Sequence, residues 1–402
     1  MSNTSQSVSD RAVTPVTLSL FAGVTALIAS EFTPVSLLTP IAGALGISTG
    51  TAGQTVTAVG AAAFLTSLLI APLFPRTDRR LLMLAFTLIA AVSNALIAVT
   101  ESVALHFAAR AALGLSVGGF WSLSVAYVQS VVSRKALAGA FSVVYAGVSV
   151  ATLVALPGAA ALSDAFGWRA IFAAVAALTF ITFLWQWRTL PEVRPAQTAG
   201  LAAFREVLAE PAARFGLLAT FTAYAGYHTV FTYVRAVLET SAGLTGSALS
   251  TTLLVYAVIN VIGTFVAGRL FASAFRAAFA GTAVAALAAP LLMLLLEGSV
   301  AIVGPVFLAA FVFGFIPVGW SVWLVRTLPH RTEIFGGLSV AVTQLSIGAA
   351  ANAGGLLFDS TGTTSLFILS AVLCAGTLAL LPGTMRPAKA PAGPHEIPVT
   401  AA

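Results

Sequence analysis

Charge is what this chain has least of. Asp, Glu, Lys and Arg make up 8% of its 402 residues and hydrophobic residues 59%, whereas a soluble domain is about a quarter charged. That shortage excludes an ordinary soluble fold. A single cysteine, Cys374, and four histidines leave no disulfide framework and no run with metal-ligand spacing. Phosphate-binding loops, catalytic triads and nucleotide signatures are also missing, so neither an enzyme nor a cofactor is expected, and a pump would have to draw on a gradient. The basic excess of +6 is spread thinly over the loops, without the patch of a nucleic-acid module. Nucleic acid is excluded as a partner.

What is present is hydrophobic length. Runs of about 20 apolar residues mark membrane-spanning helices, and Pro, Gly or charge divides this chain into twelve, at 16–40, 52–74, 81–99, 103–127, 137–161, 169–187, 214–237, 249–270, 275–296, 300–324, 336–357 and 365–382. The first run is too long for a signal-peptide core, so it reads as a retained span. Basic residues test the count independently, because they accumulate on the cytoplasmic side. With the N-terminus inside, sixteen of the nineteen Lys and Arg fall in inside segments, Arg169 and Arg235 lie outside, and Arg110 lies within a span. Both termini are therefore expected in the cytoplasm.

The sequence predicts an all-α membrane protein of twelve transmembrane helices in two pseudo-symmetric six-helix halves. Its parts are an N-terminal tail (1–13), a first half (14–187), a cytoplasmic central loop (188–213), a second half (214–385) and a disordered tail (386–402), the last Pro- and Ala-rich without periodicity. A weak internal repeat supports the division: Gly118–Val125 resembles Val318–Val325 with Trp121 matched to Trp320, and Asp164–Gly167 resembles Asp359–Gly362, at offsets of 199 and 195 residues. Such a repeat implies a binding site near the membrane midplane between halves.

Glu31 stands a little past the middle of the first span. A charge there costs roughly 2.5–3.5 kcal/mol, which argues for a polar cavity and a group able to take up a proton; the alternative is a structural carboxylate bonded to a neighbouring helix. Pro34 and Pro40 follow, and each frees a carbonyl that protein or a wet cavity must satisfy. Arg110, in the spacing Arg110-x-x-x-Gly114-x-x-x-Gly118, needs a buried acceptor and could pair with Glu31 or bond only backbone carbonyls. His228 lies about as deep in span 7 as Glu31 does in span 1, as a titrating or a packing residue. The short charged loop with Arg76, Asp78, Arg79 and Arg80 is a gating loop or a plain topology signal. Trp121, Tyr145, Tyr224, Tyr227, Phe231, Asn260, Trp320, Gln344 and Asn352 are the polar and aromatic groups at mid-span depth. They could stack a planar ring or bond a base edge or sugar hydroxyl, or simply pack.

These features resemble the major facilitator superfamily in its drug:proton antiporter subgroup. The resemblance runs through EFTPVSLLTPIAGALGIS (31–48), AGQTVT (52–57), TDRR (77–80), ALGLSVGGFW (112–121), FTYVR (231–235), PVGWSVWLVRTL (317–328) and VAVTQL (340–345), and within the subgroup it points to exporters of purine ribonucleosides. It implies a monomeric, proton-driven antiporter of the bacterial inner membrane exporting inosine, guanosine or analogues. The chain departs from the subgroup pattern at Pro75 and Asp78, and in the reduced span-5 motif Ala155-Leu-Pro157-Gly158. Sugar exporters share the span-1 string, so sugar or multidrug efflux is the alternative, with a non-transporting membrane sensor behind it.

Overall fold

The computed structural model describes residues 3–132, 137–194, 208–327 and 332–385. Its helices are α1 (Asn3–Leu45), α2 (Thr49–Leu73), α3 (Arg79–Val99), α4 (Val103–Val131), α5 (Leu137–Phe166), α6 (Trp168–Thr189), α7 (Pro211–Phe231), α8 (Val234–Ala242), α9 (Gly246–Ser273), α10 (Phe275–Leu295), α11 (Val303–Thr327), α12 (Thr332–Thr361) and α13 (Thr363–Thr384), with one 3₁₀ turn at Val300–Ile302. No strand occurs among the described residues. Ten helices are long and apolar enough to cross a membrane by length and composition, and the pair Val143–Ala155 and Pro157–Phe166, bent by 41°, adds an eleventh if taken as one span.

Local chemistry sets the boundaries. Ser48, Asp78 and Ser102 each accept a backbone N–H of the helix they precede, the usual work of an N-cap side chain. Gly167 and Gly362 make the turns into α6 and α13 with φ of 78° and 76°, a region that favours glycine. Residues 3–13 are helical, as the start of α1. The structure corrects one expectation. The seventh apolar run is two helices, because Tyr233 N–H turns back to Val230 O (3.1 Å) while its buried side chain reaches across to α12. The 386–402 tail and residues 195–207 of the central loop lie outside the described residues.

Packing falls into neighbourhoods. α1 lies against α5 and α6, and α3 and α2 against α4; α7 lies against α13 and α12, α9 against α11, and α10 against α13 and α11. α2 with α12, and α5 with α9, join these groups. Bare backbone allows the closest approaches. A Cβ on Gly114 or Gly118 would collide with the carbonyls of Val59 and Ala63 on α2, and one on Gly50 or Gly60 would collide with the backbone of Gly355 or Gly348 on α12.

Candidate functional site

The prolines of α1 organise its polar contacts. Pro34 has no N–H for the carbonyl four residues earlier, Ser30 O, and Pro40 has none for Ser36 O. Two arginines from other helices take those places: Arg110 Nη1 donates to Ser30 O at 2.9 Å and Arg235 Nη1 donates to Ser36 O at 2.5 Å. Arg110 Nη2 adds a longer bond to Glu31 O, 3.4 Å. Arg110 thus binds the backbone beside Glu31 and not its carboxylate, and the one ion pair among the described residues is Arg235 with Glu239, 2.8 Å. The Glu31 side chain, 6% exposed, instead accepts from Gln344 Nε2 on α12 at 3.4 Å.

The next residue, Phe32, opens an aromatic wall. It meets Phe231 edge-on at 5.4 Å. Tyr224, Tyr227, His228 and Phe231 recur at helical spacing on α7 and so share one face. Tyr227 stacks on Phe313 of α11 with centroids 3.7 Å apart and planes 5° apart, and on Phe231 at 5.1 Å; its hydroxyl bonds that of Tyr256 on α9. His228 stands among Tyr224, Tyr227, Phe231 and Phe313. Behind this wall lies an apolar cavity of about 30 Å³ lined in part by Met293 and Cys374.

The other sequence candidates scatter. Trp121 and Tyr145 stack together at 5.6 Å, away from α7. Trp320 packs with Phe279 and Trp323 at 5.0 and 5.5 Å. Asn260 donates to Ala310 O at 3.0 Å, holding α9 against α11, and Asn352 is half-buried on α12. The charged loop is stapled to the end of α6: Asp78 accepts from Val193 N–H (2.9 Å) and Arg80 donates to Trp187 O (2.7 Å). Arg79 donates to Phe74 O at 3.2 Å, and Arg76 is exposed. Its described contacts are hydrogen bonds to the end of α2, the end of α6 and the segment after it, and not ion pairs between helices. No three His, Cys, Asp or Glu residues among those described could hold a metal.

Sequence reasoning missed Phe32, Tyr256, Phe313, Arg235 and the residues that close one end of the bundle. There Asp359 accepts from Gly50 N–H (2.9 Å) and from the Ser48 hydroxyl, Thr39 donates to Glu239 (2.7 Å), and Tyr233 OH donates to Ala351 O (2.7 Å), with a longer contact to Gly50 O (3.5 Å). These contacts join residues 118 to 311 apart in the chain. The signal that could have found them was present in two places, the prolines that leave acceptors and the FTYVR string.

Comparison with known proteins places this architecture. The Major Facilitator Superfamily model matches residues 19–351. The chain is 37% identical over 382 residues to the transcription regulatory protein OpdE of Pseudomonas aeruginosa, covering 92% of each. It is 36% identical over 368 residues to the purine ribonucleoside efflux pump NepI of Escherichia coli K12, covering 91% of each. Among solved structures, a bacterial homologue of the human lysosomal transporter Spinster, in an inward-facing and unoccupied conformation, matches with a TM-score of 0.68 at 17% identity over 93% of this chain and 95% of that one. The human organic anion transporter MFSD10 matches with a TM-score of 0.65 at 17% identity over 93% of this chain and 99% of that one. With a family model over most of its length and relatives matched nearly end to end, this multi-pass membrane protein belongs to the Major Facilitator Superfamily.

Proposed function

We propose that the chain is a proton-coupled exporter of purine ribonucleosides such as inosine and guanosine, working by alternating access in a bacterial inner membrane. The observation that carries this reading is the placement of Glu31: buried, bonded across to α12 through Gln344, and followed directly by Phe32, where the aromatic wall begins. A group that exchanges a proton and a surface that stacks a planar base then share one seam. The likeness to an efflux pump for purine ribonucleosides supports the cargo. Taking α7 with α8 as one span and bent α5 as another gives twelve spans, α1–α6 forming one half and α7–α13 the other. With both termini cytoplasmic by the basic-residue rule, the closed end at Ser48 and Asp359 faces outward.

The test is uptake of radiolabelled inosine into everted vesicles with and without an imposed proton gradient. Accumulation that collapses with the gradient and is competed by guanosine, but not arabinose, is expected. Competition by pentoses or by lipophilic cations would move the cargo to sugars or drugs. A second reading, a non-transporting sensor, is favoured by the relative that carries a regulatory name; fold does not fix function. Silence for every solute class, together with ligand-dependent binding of a partner protein, would select it.

A further inference from the structure

Eight buried side-chain polar atoms find no hydrogen-bond partner among the described residues: Ser36 Oγ, Arg80 Nε, Asn94 Oδ1, both nitrogens of His106, Arg110 Nε, Ser116 Oγ and Ser122 Oγ. All eight lie on α1, α3 and α4, and none on α7–α13. Leaving such a group unsatisfied costs about 1–3 kcal/mol, and a buried water that bonds two to four of them removes that cost. Two of the residues that carry them meet at one point of α1. Asn94 Nδ2 donates to Ser30 Oγ (2.8 Å) while Arg110 donates to Ser30 O, so an unfilled acceptor, Asn94 Oδ1, and an unfilled donor, Arg110 Nε–H, surround one residue next to Glu31. His106 lies one turn from Arg110 along α4, toward the closed end and four residues past the cap Ser102. Its ring is 0% exposed and edge-on to Trp168 and Phe172.

We infer that α1, α3 and α4 enclose a file of ordered water running from His106 past Asn94 and Arg110 to the Glu31 carboxylate, and that protons reach Glu31 along it. The proposal rests on the proton coupling proposed above. Its chemistry balances: water gives a proton to one nitrogen of neutral His106, the other nitrogen releases its own to the next water, and the last water protonates Glu31. His106 is left neutral with its tautomer exchanged. The charges facing the imidazole are Arg110 from its own helix and Arg169 from α6, which lies over Trp168 at 4.4 Å. Both are positive, so they oppose a resting imidazolium and speed release of the proton once it is taken up. Protons then have a route through the first helices while cargo contacts the aromatic wall.

Hydroxyl-radical footprinting of the wild-type protein in nanodiscs tests the file without transport, because radicals formed from bound water oxidise the side chains beside it. His106 should be oxidised several-fold more than His228, equally buried but enclosed by rings; oxidation no greater than that of His228 would overturn the proposal. In everted vesicles, His106→Phe should lower gradient-driven inosine accumulation about tenfold or more, with a much smaller effect on inosine counterflow and partial rescue by His106→Gln. Equal loss of both activities would overturn the relay. Wild-type vesicles that carry no inosine would remove the transport reading, and the footprint would still decide the file.

Discussion

Position 34 shows how a single residue type places a functional group. Proline there removes one N–H, the acceptor left behind is Ser30 O, and Arg110 fills it, so the guanidinium is fixed beside Glu31 without consuming its carboxylate. Pro34→Ala restores the helical bond and takes away that docking point; gradient-driven inosine accumulation is expected to fall about tenfold while thermal stability holds or rises, since an interior proline costs a helix about 3 kcal/mol. Glu31→Gln is expected to abolish gradient-driven accumulation and to retain counterflow in the same vesicles; full accumulation would sink the assignment. Glu31, Arg110 and His228 were visible in the sequence as rare polar groups in apolar runs. Their partners were not. Gln344 is 313 residues from Glu31, and no spacing rule connects two helices that meet only in the folded bundle.

At the scale of elements, apolar runs divided at Pro, Gly or charge placed most helices to within a few residues, and the proline-rich end of α1 was readable as a site of freed carbonyls. The break between α7 and α8 was not. No Gly or Pro occupies Thr232–Tyr233, and the interruption depends on Tyr233 reaching α12 and Gly50. The short α8 carries Arg235 and Glu239 to α1, where they bond Ser36 O and Thr39. Asp359→Ala removes a charged acceptor from Gly50 N–H, a contact worth about 1.5–3 kcal/mol. Labelling of a cysteine placed at buried Leu238 by an impermeant maleimide should then rise about tenfold, because 1.4 kcal/mol is a factor of ten in the open population. Unchanged labelling would assign the closed end to packing alone. Along α2 and α4, Gly118→Val inserts side-chain atoms where a Cβ already meets Ala63; a loss of about 1–3 kcal/mol is expected from such overpacking, read as a lower melting temperature in detergent.

For the whole molecule, the polar contacts between the two groups of helices concentrate at one end and at Glu31, with Thr57 bonded to Gly348 O between them. Tying Ser48→Cys to Asp359→Cys with a short reducible crosslinker should arrest inosine transport, and reductant should restore it; Cys374 is buried and leaves a quiet background. Transport that continues through the crosslink would show that this end need not open. Between the clasp and Glu31, α2 and α12 meet over Gly50, Gly60, Gly348 and Gly355, with Thr57 Oγ1 donating to Gly348 O at 2.9 Å and Val56 packed on Ile347 and Ala351. Ordinary helix pairs settle into a few crossing angles because ridges seat in grooves. Here few side chains stand between the backbones, so the seam acts as a lightly toothed bearing: rolling one helix on the other breaks one hydrogen bond and unseats one small apolar cluster, and the rest of the resistance gathers at the latch.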